Sequence, residues 1–325
     1  MDKPIALVLG VTGGIGGAVA RLLTTRGWKV RALHRDPSRL RGSGFEVVAG
    51  DAMRAEDVAL AASGASLIIH AVNPPGYRNW GELVLPMLDN TIAAARASGA
   101  RVLLPGTVYN YGPDVFGQRI DEEAPQRPTS RKGAIRVEME RRLRDSGQRV
   151  LIVRAGDFFG PGAANNWFAQ GLVKPGAAVR SITNPGRGVG HQWAYLPDVA
   201  ETMVQLVERE ATLPRFARFH MDGHFDADGT QMIAAICRAV GEVPVRAFPW
   251  RMSMLASPFV PFLRELREMR YLWRTPLRMS NARLVATLGT EPHTPLDEAV
   301  RATLADLGCL PEKMTAIEPS VVSVN

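Results

Sequence analysis

Short apolar runs alternate with segments of helical periodicity over the first 155 residues of the chain. The runs predict strands, and the segments between them predict helices. This alternation is typical of βαβ units that build a parallel sheet. The predicted strands are Ile5–Leu9, Lys29–Leu33, Glu46–Val48, Leu67–Ala71, Arg101–Leu104 and Arg149–Val153. The predicted helices are Ile15–Arg26, Ala55–Ala62, Trp80–Ala97 and Ser130–Asp145, and each ends near a glycine, at Gly27, Gly64, Gly99 and Gly147.

The pattern becomes less regular after Gly160, and proline and glycine are frequent between Lys174 and Gly190. We therefore expect a Rossmann-type doubly wound α/β domain over residues 1–160 and a mixed segment over 161–325. Residues 190–225 or so should return to the first domain, and the remainder should form a smaller C-terminal substrate lobe. The predicted elements of this half are a helix at Pro197–Arg209, a strand at Phe216–Met221, a helix at Gln231–Val240, a mixed helical region at Arg251–Trp273 and a closing helix at Pro295–Leu307.

Composition and charge narrow the class of protein. The chain has 325 residues, of which 46% are hydrophobic, so it can bury a full core. Its formal charge is +7, but the arginines are scattered rather than gathered into a run. This favours an arginine-rich surface with an anion-binding cofactor site over nucleic-acid binding.

Location follows from what the sequence lacks. No apolar stretch reaches the length of about 18 residues that a membrane helix needs, and the N-terminus does not resemble a signal peptide. Cys237 and Cys309 are too few for a disulfide framework. We therefore expect a cytoplasmic protein that binds neither membrane nor nucleic acid.

A glycine-rich turn follows the first predicted strand. Gly10, Gly13 and Gly16 are spaced by three residues and lead into the first predicted helix. The first glycine allows a sharp exit from the strand, the second lets the backbone approach a pyrophosphate, and the third lets the helix pack on the strand. We therefore predict a dinucleotide-binding turn, whose contact residues are Gly10, Thr12, Gly13, Gly14, Ile15 and Gly16.

The end of the second predicted strand bears on the choice of coenzyme. NAD enzymes usually carry an acid there for the ribose 2′-hydroxyl. This chain has His34 and Arg35, a cationic pair that can bind a 2′-phosphate, so NADP is favoured. The alternative keeps Asp36 as the ribose acid, leaves Arg35 in solvent and makes NAD the coenzyme.

With these features in place, the first 200 residues resemble the extended short-chain dehydrogenase/reductase family, which includes NAD-dependent epimerases and dehydratases. The segments Val48–Asp51, Ile68–Val72 and Arg154–Gly162 are similar to the family's strand endings around the cofactor. The resemblance implies cofactor contacts at Asp51, Ala52, Ala71 and Val72. It also implies that Asp198, in the segment Tyr195–Ala200, caps a helix.

The family's catalysts are a Ser or Thr after the fifth strand and a Tyr-x-x-x-Lys pair on the next helix. The segment Gly106–Gly112 resembles the first of these motifs and assigns the catalytic hydroxyl to Thr107. The segment Pro128–Arg136 aligns with the second without a gap, but it has Lys132 in place of the tyrosine and Arg136 in place of the lysine.

Several roles for these residues stay open. Arg136 can bind the nicotinamide ribose. Lys132 is a candidate acid or base if its surroundings lower its pKa, and otherwise the family's chemistry is lost. Tyr109 and Tyr111 are candidates for a displaced phenol, although packing over the cleft is the more usual role of such aromatic residues.

The family's nucleotide-sugar enzymes carry an arginine before the Asp-capped helix, where this chain has His191. Arg187 is a candidate substitute. Asp157 stands where those enzymes often have asparagine, and its charge would repel a diphosphate. A small carbonyl, hydroxyl or sugar-type substrate is therefore expected, with Asn73, Asp157 and His191 facing it.

Two other groups of residues suggest chemistry more weakly. The His220, Asp222, His224 and Asp226 group invites a metal site, but a strand that runs into a turn does not bring these side chains together, so we expect none. His70 lies in an apolar strand, which favours a hydrogen-bonded core residue over a catalyst. The aromatic and Met residues between Pro249 and Trp273 fit core or dimer packing better than a pocket.

The sequence therefore supports two functions. The first is an NADP(H)-dependent oxidoreductase or epimerase-like enzyme, and the second is a non-catalytic NAD(P)-sensing protein. The resemblance also implies a homodimer.

Overall fold

The computed structural model describes residues 3–74, 80–163, 166–186, 188–256 and 268–311. Its strands are β1 (Ile5–Leu9), β2 (Lys29–His34), β3 (Glu46–Ala49), β4 (Leu67–His70), β5 (Arg101–Gly106), β6 (Arg119–Ile120), β7 (Val150–Arg154), β8 (Asp157–Phe159), β9 (Ile182–Asn184), β10 (His191–Tyr195), β11 (Phe216–His220), β12 (His224–Asp226), β13 (Val245–Ala247) and β14 (Arg278–Met279). Its α-helices are α1 (Gly14–Thr25), α2 (Ala55–Ala61), α3 (Trp80–Ser98), α4 (Arg131–Asp145), α5 (Leu196–Glu208), α6 (Gln231–Val240), α7 (Trp250–Ala256), α8 (Ala282–Leu288) and α9 (Leu296–Asp306).

Seven parallel strands form the central sheet, in the order β11-β7-β5-β4-β1-β2-β3. All five residues of β7 are buried, as expected of a strand that is covered on both faces. Helices α1 and α5 share one hydrophobic core with one face of the sheet, and α2, α3 and α4 share a second core with the other face. This arrangement confirms the Rossmann-type doubly wound fold.

The strand order reverses between β1 and β4, because β2 and β3 lie on one side of β1 and β5 lies beyond β4. In such sheets a crevice opens at the carboxyl ends of the strands at this point. The predicted helix-closing glycines are confirmed, since Gly27, Gly64, Gly99 and Gly147 have φ values between +66° and +85°.

A second, smaller sheet joins distant segments beside this crevice. Strand β10 pairs with β8 in parallel and with β12 in antiparallel orientation. A separate core packs below it, with Phe159, Trp193 and Trp273 among its buried residues. Of the predicted helical region Arg251–Trp273, the described part consists of α7 up to Ala256 and a 3₁₀ turn at Arg270–Trp273.

The expected capping role of Asp198 is wrong. Helix α5 begins at Leu196, because Pro197 lacks an N–H and fits the first turn of a helix. The Asp198 carboxylate instead accepts hydrogen bonds from the backbone N–H and the hydroxyl of Thr294, both at 2.7 Å. It therefore fastens the segment before α9 to the central domain.

The four residues considered for a metal have separate partners. His220 contacts the hydroxyl of Tyr111, and Asp222 pairs with Arg119 and Arg278. The Asp226 carboxylate accepts from backbone N–H groups at the start of α6, and the ring of His224 packs on His293. In the described part of the chain, no three His, Cys, Asp or Glu side chains are placed to hold a metal ion.

Both cysteines are free thiols. Among the described residues, no helix combines the length and the apolar character needed to cross a bilayer.

Candidate functional site

A cleft of about 1060 Å³ lies at the strand-order reversal of the central sheet. The glycine-rich turn after β1 lies at its centre, and the ends of β2 and β3 line one arm. The ends of β4, β5 and β7 and the start of α4 line the other arm. We call these the adenosine arm and the reactive arm.

The glycine turn has the geometry that the sequence predicts. Gly10 has a φ of +91°, and a Cβ on Gly16 would lie 2.3 Å from the Gly10 carbonyl oxygen. A Cβ on Gly13 would meet only that same oxygen, at 3.3 Å, so the space in front of Gly13 is open. The first N–H groups of α1 have no acceptor within the helix, and together with the positive end of the helix dipole they favour an anion at this position. Gly10, Thr12, Gly13, Gly14 and Ile15 line the cleft, whereas Gly16 is buried behind them.

The adenosine arm is cationic. His34, Arg35 and Arg39 line it, and both arginines are exposed. Asp36 also lines this arm, and one oxygen of its carboxylate accepts from the backbone N–H of Ser38 at 3.1 Å and from its hydroxyl at 2.6 Å. The hydroxyl and N–H of Ser38 lower the pKa of Asp36, which keeps it ionised in this turn.

Asp51 and Ala52 close the adenosine arm below these cations. One oxygen of Asp51 accepts from the backbone N–H of Met53, and the backbone N–H of Asp51 donates to Asp57. The side chain of Asn90 on α3 donates to the Ala52 carbonyl at 2.9 Å. These bonds fix a polar loop where an adenine ring would lie.

The floor between the two arms comes from the end of β4. Ala71, Val72 and Asn73 line the cleft, and the Ala71 N–H continues the sheet by donating to Leu9. His70 lies beneath them and is hydrogen-bonded to the hydroxyl of Thr91 at 2.8 Å. Burial, with a smaller contribution from the charge of Arg136, lowers the pKa of His70 to about 3, so the imidazole is neutral at pH 7.

Thr107 lies in the reactive arm at the carboxyl end of β5. Its hydroxyl is 3.4 Å from the side-chain oxygen of Asn110. The Asn110 amide donates to Glu140 and to Gln126 at 2.9 Å and 3.0 Å. Arg154 donates to the Thr107 carbonyl and to Glu140. A buried polar network therefore holds both the backbone and the hydroxyl of Thr107.

Lys132 and Arg136 project from α4 into the reactive arm. Both are more than 90% buried, and both lie over the ring of Trp80, at 5.9 Å and 5.1 Å from its centroid. Arg136 also donates to the side-chain oxygen of Asn73 at 3.1 Å. The arm therefore presents two desolvated cations next to the Thr107 hydroxyl.

The two tyrosines after Thr107 lie in different places. Tyr109 lines the cleft and is partly exposed. Tyr111 is fully buried outside the cleft, and its hydroxyl lies 2.9 Å from Nε2 of His220. Burial raises the pKa of Tyr111, which does not suit a group that exchanges protons.

The far wall of the reactive arm contains Asp157 at the start of β8. One oxygen of its carboxylate is 2.9 Å from Nε2 of His191. His191 is the first residue of β10, the strand that pairs with β8. The His191 ring stacks on Trp273, with centroids 3.8 Å apart and planes 5° apart. His191 therefore lies behind Asp157 rather than in the cleft. Arg187, the expected substitute for an arginine at this position, lies outside the described residues.

Several lining residues were not among those proposed from the sequence: Arg39, Trp80, Trp167 and Phe248. The Asp36-Pro37-Ser38 sequence does predict a turn that would return Arg39 towards Arg35. Nothing in the local sequence signals that Trp80, Trp167 and Phe248, from three separate segments, line one cleft.

The residues present fit a nicotinamide dinucleotide. The cleft combines an open backbone turn at a helix start, a cationic adenosine arm and a reactive arm with a hydroxyl and two cations. The same arm also carries the carboxylate of Asp157.

Similarities to known proteins, in sequence and in structure, agree with an NAD(P)-binding site. A protein-family model described as NAD(P)H-binding matches residues 10–210. A curated relative, the 3-diazoavenalumate denitrifying reductase of a Streptomyces species, is 29% identical over 264 residues, which are 75% of this chain and 84% of the relative.

Solved structures share the fold at low identity. The Bordetella bronchiseptica enzyme WbmH in complex with NAD+ is 18% identical, with a TM-score of 0.68 over 94% of this chain and 98% of that one. MoeE5 in complex with UDP-glucose and NAD is 16% identical, with a TM-score of 0.72 over 93% and 97%. These structures confirm the predicted fold, and the family model confirms the NAD(P)-binding domain that the resemblance to the extended short-chain dehydrogenase/reductase family implies.

Proposed function

We propose that this chain, which belongs to the NAD(P)H-binding family, is an NADP(H)-dependent oxidoreductase that reduces a small carbonyl compound. The observation that carries this proposal is the pairing, within one cleft, of a phosphate-binding turn with Thr107, Lys132 and Arg136. The reductase activity in the name of the Streptomyces relative supports a reductase over an epimerase.

The choice of NADP depends on the adenosine arm. Asp36 lines the same arm, and one oxygen of its carboxylate already accepts two hydrogen bonds from Ser38. Arg35 and Arg39 are exposed on the same arm and can form charge-assisted hydrogen bonds with a 2′-phosphate. This favours NADP over the alternative in which Asp36 binds the ribose of NAD.

The protein's own groups complete the chemistry in the reactive arm. A bound nicotinamide supplies a hydride to the carbonyl carbon. The Thr107 hydroxyl donates a hydrogen bond to the carbonyl oxygen, and the ammonium group of Lys132 donates the proton that this oxygen takes up. Arg136 holds the ribose hydroxyls.

The test measures NADPH oxidation, from the loss of its near-ultraviolet absorbance, with a panel of aldehydes, ketones and sugar nucleotides. Calorimetry with NADP and NAD should show tighter binding of NADP, and Arg35→Ala should weaken NADP binding by about tenfold or more while leaving NAD unchanged. Arg41→Ala, an exposed arginine just outside the cleft, is the matched control. Bound NADPH with no turnover of any compound would rule out the enzyme.

A specific observation favours a second candidate, a non-catalytic NAD(P) sensor. The family's acid–base tyrosine is replaced by Lys132, and the nearby phenol of Tyr111 is committed to His220. A sensor would bind NADPH and NADP with different effects on a partner and would show no chemistry. Turnover that is lost in Lys132→Met, and also in Lys132→Arg, which keeps the charge but holds its protons too tightly to act as an acid, rules this candidate out.

A further inference from the structure

An aromatic wall runs along the substrate side of the reactive arm. Trp167 and Phe248 line the cleft, are partly exposed, and contact each other edge to face at 6.4 Å between ring centroids. Trp167 also meets the buried ring of Trp273 at 5.0 Å. The wall therefore offers ring faces and edges to a ligand, backed by a fixed aromatic core.

The wall ends in a carboxylate. Trp273 stacks on His191, and His191 in turn holds one oxygen of Asp157. A carboxylate can accept hydrogen bonds at both oxygens, so Asp157 keeps capacity for a donor in the cleft. This continuous series of contacts places an acceptor of fixed position at the end of an aromatic surface.

The same arm also carries two cations. Lys132 and Arg136 lie over Trp80, and Thr107 lines the cleft with them. A ligand that spans the arm should therefore present an electron-rich carbonyl oxygen to the cations, a flat apolar body to the wall, and a hydrogen-bond donor to Asp157. An anionic group at the Asp157 end is repelled by the like charge.

From this arrangement we infer that the substrate is an aromatic carbonyl compound with a hydrogen-bond donor, such as a phenol or an amine, on the side of the ring opposite the carbonyl. This inference rests on the proposed function and names the substrate class of the same site. Trp167 and Phe248 bind the ring, Asp157 accepts from the donor, and His191 positions Asp157.

The test compares aldehydes of similar size, with NADPH as the reductant. We expect kcat/KM for 4-hydroxybenzaldehyde to exceed that for cyclohexanecarbaldehyde by about tenfold, and that for 4-carboxybenzaldehyde by more, because the last places a carboxylate against Asp157. Asp157→Asn should raise kcat/KM for 4-carboxybenzaldehyde several-fold. Asp114→Asn, an exposed acid outside the cleft, should change nothing.

Two variants of the aromatic wall test its role, and NADPH binding shows whether each variant is folded. Trp167→Leu and Phe248→Leu should each raise KM for 4-hydroxybenzaldehyde and leave KM for cyclohexanecarbaldehyde almost unchanged, with NADPH binding retained as the sign of an intact fold. Equal kcat/KM for the aromatic and alicyclic aldehydes would overturn the inference while leaving the reductase in place. If no aldehyde is reduced, the proposed activity is rejected, and binding of 4-hydroxybenzyl alcohol to the NADP-loaded protein is measured instead. Binding that is weakened in Trp167→Leu supports the inferred substrate class. Absence of binding overturns the inference as well.

Discussion

Glu140 and Arg154 form an ion pair in the interior of the protein, with Nη2 of the arginine 2.5 Å from Oε1 of the glutamate. The side chain of Arg154 is fully buried and that of Glu140 is 5% exposed. The pair connects α4 to β7 behind the reactive arm, and Asn110 extends it to Thr107. The stability of the fold and the position of Thr107 therefore depend on the same buried network.

Removing the charge of Glu140 should destabilise the fold. Glu140→Gln leaves Arg154 buried without its counter-charge, which typically costs about 3–5 kcal/mol in the free energy of unfolding. Urea unfolding followed by circular dichroism measures this loss. Glu138→Gln, two residues earlier, removes a partly exposed carboxylate that pairs with Arg141 and Arg142 and should change the unfolding midpoint far less. Equal effects of the two variants would contradict this account of the pair.

Glu140 should also give the protein an acid-sensitive stability. Burial by itself raises the pKa of Glu140, but the charge of Arg154 and the hydrogen bonds from Gln126 and Arg154 outweigh burial, and the pKa is lowered below 4.5. The resulting stabilisation is present above pH 4.5 and is lost as the pH falls through the lower, folded-state pKa. The difference in unfolding free energy between wild type and Glu140→Gln should therefore shrink between pH 5 and the acid limit of the fold.

His70 should remain neutral well below its ordinary pKa of 6.5, because burial and the nearby charge of Arg136 lower the value to about 3. The unfolded chain takes up a proton below pH 6.5 and the folded chain does not, so this residue makes the fold less stable as the pH falls from 6.5 towards 3. Imidazole NMR signals should show that the ring signal lost in His70→Asn does not titrate between pH 8 and 4 in the wild type. Titration of that signal near pH 6.5 would contradict the burial of His70.

The glycine turn allows binding to be separated from folding. Gly13→Ala adds a methyl group that meets only the Gly10 carbonyl oxygen at 3.3 Å, so the variant should fold with a nearly unchanged melting temperature. The methyl group would occupy the space of the pyrophosphate, and coenzyme affinity should fall by about tenfold or more. Gly16→Ala, whose methyl group would lie 2.3 Å from the same oxygen, should lose stability as well. Calorimetry and thermal unfolding of both variants distinguish the two roles.

Thr107 should act through its hydroxyl. Thr107→Val keeps the shape of the side chain and removes the hydrogen bond to the substrate oxygen, so kcat should fall by about 10²–10³-fold with NADPH affinity unchanged. Thr107→Ser retains the hydroxyl and should keep most of the activity. Similar kcat values for the valine and serine variants would exclude Thr107 from the chemistry.

The central sheet was predictable because buried parallel strands are continuous apolar runs. Strand β1 matches its predicted bounds, and β7 starts one residue later than predicted. Strands β8 and β10 were not predicted, because they are short and mix polar with aromatic residues. Their existence depends on pairing between segments more than 30 residues apart, which local patterns do not encode.

Some residues of the site follow from local sequence and others do not. The glycine turn and the cations after β2 follow from local sequence, since each lies within one βα unit. The partners of Asp157 do not, because His191 and Trp273 come from two other segments. The position of Tyr111 is also a tertiary effect, since its partner His220 lies 109 residues away.

The aromatic residues around Trp273 are distant in the sequence from the glycine-rich turn. The coenzyme turn lies in the first residues of the chain, whereas Trp167, Phe248 and Trp273, which shape the substrate wall, lie far downstream. Mutations in these later segments can therefore alter which molecules are accepted while the machinery for nucleotide capture stays intact. A lineage with this layout can diversify its chemistry by exchanging a few aromatic side chains.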